Sequence, residues 1–162
     1  RAAAQNIVPS STGAAIAVTK AFPELTGLFD GISLRVPVPA GSIVDITFIA
    51  KRDTSAEEVN DILKKAAASE RWNKLFAVTE EPLVSSDILG ESHASIADLE
   101  MTRVIGGNLV KVLGWYDNEY SYTHTLVQHV IATGSYLLED PEEGRQMRIR
   151  AGLWDRGTDG TK

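Results

Sequence analysis

Three places in this chain hold side chains whose type and setting suit binding chemistry. The first is Ser10-Ser11-Thr12-Gly13-Ala14-Ala15. A hydroxyl-rich turn that opens a helix offers free backbone N–H groups and the positive end of the helix dipole, and both suit a phosphate. Taken alone, Ser and Thr at a helix start are more often simple caps. The second is Arg35, a lone cation on the polar face of an otherwise apolar strand, followed by Val36-Pro37. A guanidinium fits phosphate through two parallel hydrogen bonds, although a single surface Arg more often sits in a weak salt bridge. The third is Asn118, inside Trp115-Tyr116-Asp117-Asn118-Glu119-Tyr120, where a strand gives way to a helix. Asn at such a point is ordinarily a cap. His93, His124 and His129 make no metal set, because His124 and His129 are five residues apart on a helix and point in different directions. The sequence holds no cysteine, which excludes disulfides, thiolate metal sites and a cysteine nucleophile among these residues.

The elements that must hold these groups follow from periodicity. Residues 10–22 read as a helix, with Ala14, Ala15, Val18, Ala21, Phe22 and Leu25 at helical spacing and Pro23 as the stop. Gly31 to Val38 alternates, with Ile32, Leu34, Val36 and Val38 on one face. That predicts a half-buried strand that ends or edges at Pro37 and Pro39. After the turn Pro39-Ala40-Gly41, Ser42 to Ala50 is apolar on both faces apart from Asp45 and Thr47, so a central strand is expected. Ser55-Ala56-Glu57-Glu58 is a capping box, and Val59, Ile62, Leu63, Ala66 and Ala67 form the apolar stripe of the helix behind it.

From Lys74 to Tyr116 short strands are expected around 76–79, 83–85, 92–98, 101–105 and 109–115. Ile105-Gly106-Gly107-Asn108-Leu109 reads as a tight hairpin. Asp117 or Asn118 then caps a last helix with the stripe Leu126, Val127, Val130 and Ile131. Strands dominate and no repeated βαβ rhythm appears. The expected fold class is α+β, a mostly antiparallel or mixed sheet with about three helices packed on one face. Beyond Ala132 come an acid run, Glu139-Asp140-Pro141-Glu142-Glu143, scattered Arg and a Gly/Asp/Thr end. Residues 133–162 therefore read as an extension or tail, with mobile termini.

Composition narrows the function classes. Hydrophobic residues are 43% and charged residues 23% of the chain, ordinary for a globular protein with a real core. The net charge of −6 argues against a nucleic-acid surface, which needs basic residues. No apolar run approaches the roughly 20 residues that span a bilayer. Residues 1–6, Arg-Ala-Ala-Ala-Gln-Asn, lack the apolar core of a secretory signal. No Gly-x-Gly-x-x-Gly follows a strand, so a nucleotide-binding half is not expected among these residues.

Several motifs, in order, resemble the phosphorylating glyceraldehyde-3-phosphate dehydrogenases over roughly residues 1–132. Ala2-Ala3-Ala4-Gln5-Asn6-Ile7-Val8-Pro9-Ser10-Ser11-Thr12-Gly13-Ala14-Ala15 is similar to the run after the family's S-shaped loop. Arg35-Val36-Pro37, Val44-Asp45 and Val84-Ser85-Ser86-Asp87 fit its pattern, and Trp115 to Tyr120 resembles the opening of its final helix. The resemblance implies that Thr12 and Gly13 hold the attacking inorganic phosphate and that Arg35 binds the substrate's own phosphate. It implies that Asn118 bonds the nicotinamide carboxamide and that Tyr122 packs near the ring. The family normally has Gly where this chain has Ser121.

The resemblance also implies NAD or NADP as cofactor, bound mainly by an N-terminal half not found among these residues, glyceraldehyde 3-phosphate as substrate, a homotetramer with this domain's sheet at a subunit interface, and a cytoplasmic setting. The family's Ser-Cys-Thr nucleophile and its general-base His precede the matched segment, and neither is found here. Residues 1–132 are thus expected to be part of a catalytic domain, with 133–162 a divergent extension, and the isolated chain is expected to be inactive. Two rivals stay open. One is a non-catalytic interaction module that kept the fold; the other is part of an erythrose-4-phosphate dehydrogenase, which the intact Ser11-Thr12-Gly13-Ala14-Ala15 run disfavours.

Overall fold

The structure is a computed structural model that describes residues 2–138 and 140–150. The chain divides into two compact units at Pro39/Ala40.

The first unit is built on a two-stranded ribbon. Strand β1 (Val8–Ser11) pairs antiparallel with β2 (Ile32–Arg35), placing Val8 opposite Arg35 and Ser11 opposite Ile32. Helix α1 (Ala14–Ala21) lies between them in sequence and ends where Phe22 N–H reaches Val18 O at 2.8 Å, just before Pro23. Helix was expected from residue 10, but Ser10 and Ser11 go to the strand because β2 supplies their ladder partners. The strand expected to reach Val38 stops at Arg35, short of Pro37 and Pro39, which have no N–H to give a ladder. Among the described residues of this unit only Ala15 is a buried apolar residue.

The second unit is a four-stranded mixed sheet in the order β3-β6-β5-β4, from β3 (Ser42–Ile49), β4 (Phe76–Thr79), β5 (Ser95–Ile105) and β6 (Leu109–Tyr116). Only the β4–β5 pair is parallel. The β5–β6 hairpin turns through Gly106 (φ +62°) and Gly107 (φ +85°), the left-handed region a tight turn needs. Two expected strands, 92–98 and 101–105, are one strand with a bulge between Asp98 and Arg103. No strand forms at 83–85, because Asp87 Oδ2 accepts Val84 N–H at 2.7 Å and turns the chain there.

Strand β3 was expected to be central and is an edge. Its side chains are exposed on both faces, Ile46 to 41% and Ile49 to 75%. Its one charge, Asp45, is met by Lys111 Nζ of β6 at 2.5 Å, an exposed pair that adds little stability.

Helix α2 (Ala56–Ala67) packs on β4 and β5, and Asn60 Nδ2 donates to Leu99 O at 3.0 Å to tie it to β5. Its start is half the expected capping box. Ser55 Oγ accepts Glu58 N–H at 3.2 Å, but the Glu58 carboxylate turns to Arg52 and to Thr54 Oγ1 instead. Helix α3 (Tyr120–Ser135) follows β6 and packs with α4 (Pro141–Arg150). The class is α+β as expected, but with four α-helices among the described residues rather than about three, and α2 is the one laid on β4 and β5.

Helix α4 lies where poor periodicity predicted none. Asp140 Oδ1 accepts Glu142 N–H at 2.8 Å, and Gln146 Nε2 donates to Glu142 Oε1 at 2.8 Å. Arg148 Nη1 donates to Ser135 Oγ at 3.0 Å, with its guanidinium 4.6 Å over the Tyr136 ring. The rest of the expected extension, Glu139 and residues 151–162, lies outside the described residues.

Candidate functional site

The junction of β6 and α3 divides its tasks among consecutive residues. Asp117, 6% exposed, is the cap: its Oδ1 accepts Glu119 N–H at 2.9 Å and Tyr120 N–H at 2.7 Å. Its Oδ2 accepts Gly90 N–H at 2.9 Å, so both carboxylate oxygens are occupied. The N–H groups of Gly90, Tyr120 and Glu119 hold the Asp117 carboxyl below its ordinary value of 3.8, because they bond the charged form. Asn118 is thereby freed from capping. It is exposed, and its Oδ1 accepts Gly41 N–H at 3.1 Å.

The depressed Asp117 value makes a prediction. Its contribution to stability is fully present above 3.8, the value it keeps unfolded, and is lost as the pH falls below that through the folded value. Urea midpoints of wild type and Asp117→Asn should therefore differ near neutral pH and converge as the pH drops below about 4. A gap that stays constant down to the acid limit would count against this assignment.

Ser121 replaces the glycine usual in the resembling family, and the structure accommodates it. It is 3% exposed and its Oγ donates to Asp117 O at 2.5 Å. Tyr122, one residue on, is 65% exposed. A shallow hollow of about 300 Å³ is lined by Gly90, Asp117, Glu119, Tyr120 and Thr123. Neither Asn118 nor Tyr122 lines it, and its two carboxylates disfavour an anion.

In the first unit Thr12 Oγ1 accepts Ala14 N–H at 3.1 Å, a local turn contact just ahead of the N-cap Gly13, and Gly13 O accepts Ala17 N–H at 3.0 Å. The Thr12 hydroxyl keeps its proton to donate outward. Arg35 is exposed at the far end of the ribbon and makes no salt bridge among the described residues. Ser11 faces Ile32 and Val8 faces Arg35, so Thr12 and Arg35 are four residues apart along the ribbon. At about 3.3 Å per residue that is about 13 Å. The two are separate anion positions and not one cradle.

Gly41 was read only as part of a turn, and nothing in local sequence links it to Asn118, 77 positions away. Among the described residues no group of His, Asp and Glu is arranged to hold a metal. His93 Nδ1 lies 2.7 Å from Glu91 Oε1, and His124 Nε2 lies 2.8 Å from Gln128 Nε2. No helix of the described residues is long and apolar enough to cross a membrane.

Residues 1–118 match the family described as glyceraldehyde 3-phosphate dehydrogenase, C-terminal domain. The chain is 47% identical over 137 residues to glyceraldehyde-3-phosphate dehydrogenase 2 of Streptomyces avermitilis, which covers 85% of this chain and 41% of that protein. It is 49% identical over 128 residues to the glyceraldehyde-3-phosphate dehydrogenase of Borreliella burgdorferi and 46% identical over 127 residues to that of Zymomonas mobilis. Each of those two matches covers 78% of this chain and 38% of the relative, so the chain spans about two-fifths of the length of these curated relatives. With the motifs in order and the family matched over most of its length, this chain belongs to the glyceraldehyde 3-phosphate dehydrogenase family and carries sequence of its C-terminal domain.

Proposed function

We propose that these residues are the catalytic-domain portion of a phosphorylating glyceraldehyde-3-phosphate dehydrogenase, which oxidises glyceraldehyde 3-phosphate to 1,3-bisphosphoglycerate with NAD or NADP. The observation that carries this reading is the family match over residues 1–118, which takes in Thr12, Gly13, Arg35 and Asn118 together. In this reading Thr12 and Gly13 hold the attacking inorganic phosphate at the start of α1. Arg35 holds the substrate's phosphate about 13 Å along the ribbon, and that separation suits two phosphates bound at once. Asn118 fits the carboxamide of the cofactor, since it is an exposed residue whose oxygen is already used by Gly41 N–H and whose Nδ2 can donate. Tyr122 is exposed in the first turn of α3.

The nicotinamide cofactor, when bound, accepts the hydride. The chain's own residues bind and orient around that event: a hydroxyl and a helix start for one phosphate, a guanidinium for the other, an amide for the carboxamide. The thiolate that attacks the aldehyde and the base that takes its proton belong to the part of the family sequence before the matched segment. The working assembly in this reading is the family's homotetramer in the cytoplasm.

Isothermal titration of the chain with inorganic phosphate tests the anion positions. Thr12→Ala and Arg35→Ala are each expected to weaken binding about 5- to 100-fold, the effect of losing one hydrogen bond to a charged group. Titration curves identical in wild type and both variants would sink the assignment of Thr12 and Arg35.

A further inference from the structure

Asn118 is held by its oxygen, and that decides what its nitrogen does. The Gly41 N–H that it faces at 3.1 Å is a donor with no capacity to accept. The amide atom turned toward it is therefore the oxygen, which removes the usual ambiguity in orienting an Asn side chain. Nδ2 is then directed away from Gly41 as a pair of N–H donors on an exposed residue. The competing use of this Asn, capping α3, is closed because Asp117 Oδ1 already takes the N–H groups of Glu119 and Tyr120.

Gly41 itself has almost no freedom to be another residue. Its φ is +84°, and a Cβ built there would stand 2.6 Å from the Ser85 carbonyl oxygen. That oxygen is backbone and has no rotamer to escape into. Any L side chain at 41 is strained at that φ and has to move either the start of β3, which carries the Gly41 N–H away from Asn118, or the 83–91 stretch that walls it in.

We propose that Gly41 is a positioning residue: it anchors the Asn118 oxygen so that Nδ2–H stands as a pre-set donor for the carbonyl oxygen of a ligand carboxamide. The identity of that ligand as a nicotinamide rests on the function proposed above; the anchoring does not. A flexible Asn would present donor or acceptor equally and would lose rotamer freedom on binding. An anchored one presents only the donor, which selects a carbonyl and avoids most of that ordering cost.

Two variants separate anchoring from recognition. Asn118→Asp keeps an acceptor for Gly41 N–H and removes the donor, whereas Asn118→Ala removes both. Amide hydrogen exchange in the intact chain should show Gly41 N–H protected in wild type and in Asn118→Asp, and about 3- to 10-fold faster in Asn118→Ala. Equal Gly41 exchange in wild type and Asn118→Ala overturns the proposal.

The second readout is the Asn118 side-chain amide resonance during titration with NAD. It should shift in wild type and shift about 3- to 10-fold less in Gly41→Ala at the same NAD concentration, with helix content unchanged. An equal shift in Gly41→Ala also overturns the proposal. If NAD shifts nothing in wild type, the nicotinamide reading fails by itself, and the Gly41 exchange rates still decide whether Gly41 holds Asn118.

Discussion

Purified free of host enzyme, the 162-residue chain is expected to form no NADH from glyceraldehyde 3-phosphate, NAD and phosphate above the uncatalysed rate. The family reaction needs a thiolate, and this sequence has no cysteine to supply one. The nearest hydroxyl candidates are Ser10, whose Oγ has no hydrogen-bond partner to act as base, and Thr12, whose Oγ1 is engaged at Ala14 N–H. His93 is held by Glu91 and His124 is beside Gln128. Loss of the nucleophile alone costs on the order of 10⁶ in rate, which would leave any turnover below detection. Phosphate and carboxamide contacts lower a barrier only where a covalent step exists for them to assist. The measurement is NADH absorbance with wild-type chain against a no-protein blank. Turnover that follows chain concentration and survives repurification from a host lacking its own enzyme would overturn the prediction.

How much could be read from sequence differed by the range of the interaction involved. Helix α2 was legible because Ser55 and the stripe from Val59 to Ala67 are local signals, and the β5–β6 hairpin because Gly106 and Gly107 supply positive φ locally. Asp117 and Asn118 were equally plausible caps on paper. The choice between them was made by Gly90 and Gly41, residues 27 and 77 positions away, whose N–H groups took the second Asp117 oxygen and the Asn118 oxygen. No periodicity encodes such a pairing.

The two clearest misreadings have opposite causes. Strand β3 reads as covered on both faces, and in the described residues it is an exposed edge. Its apolar pattern asks for burial that these residues do not supply. Helix α4 was missed because an apolar stripe was sought where charges do the holding. Asp140 as cap, Pro141 at the first helical position, Glu142 and Glu143 in the first turn and Arg148 and Arg150 in the last form a start-and-stop signal that needs no stripe.

Ile88→Ala is expected to be the most damaging single truncation among the described residues of the second unit. The buried apolar residues there are few: Ile88, Ile96, Ala97, Leu99 and Val110. Ile88, 2% exposed, is the one that belongs to neither strand nor helix. It is the buried apolar residue of the 83–91 stretch, which supplies the Gly90 N–H to Asp117 and the Ser85 carbonyl that walls in Gly41. Truncation to Ala removes most of a buried side chain, at a cost of about 2–5 kcal/mol. A domain's whole stability is about 5–15 kcal/mol, so the loss is a large fraction of it. The melting temperature should fall by about 5–15 °C. Ile49→Ala, at a position 75% exposed on the β3 edge, is the control and should stay within about 0.5 kcal/mol of wild type. The same Ile88 variant should speed Gly41 and Gly90 amide exchange before the strands open, because the stretch it anchors borders both. Matching melting curves for Ile88→Ala and Ile49→Ala would mean that the 83–91 stretch is not packed as described, and the support it gives Asp117 and Asn118 would fall with it.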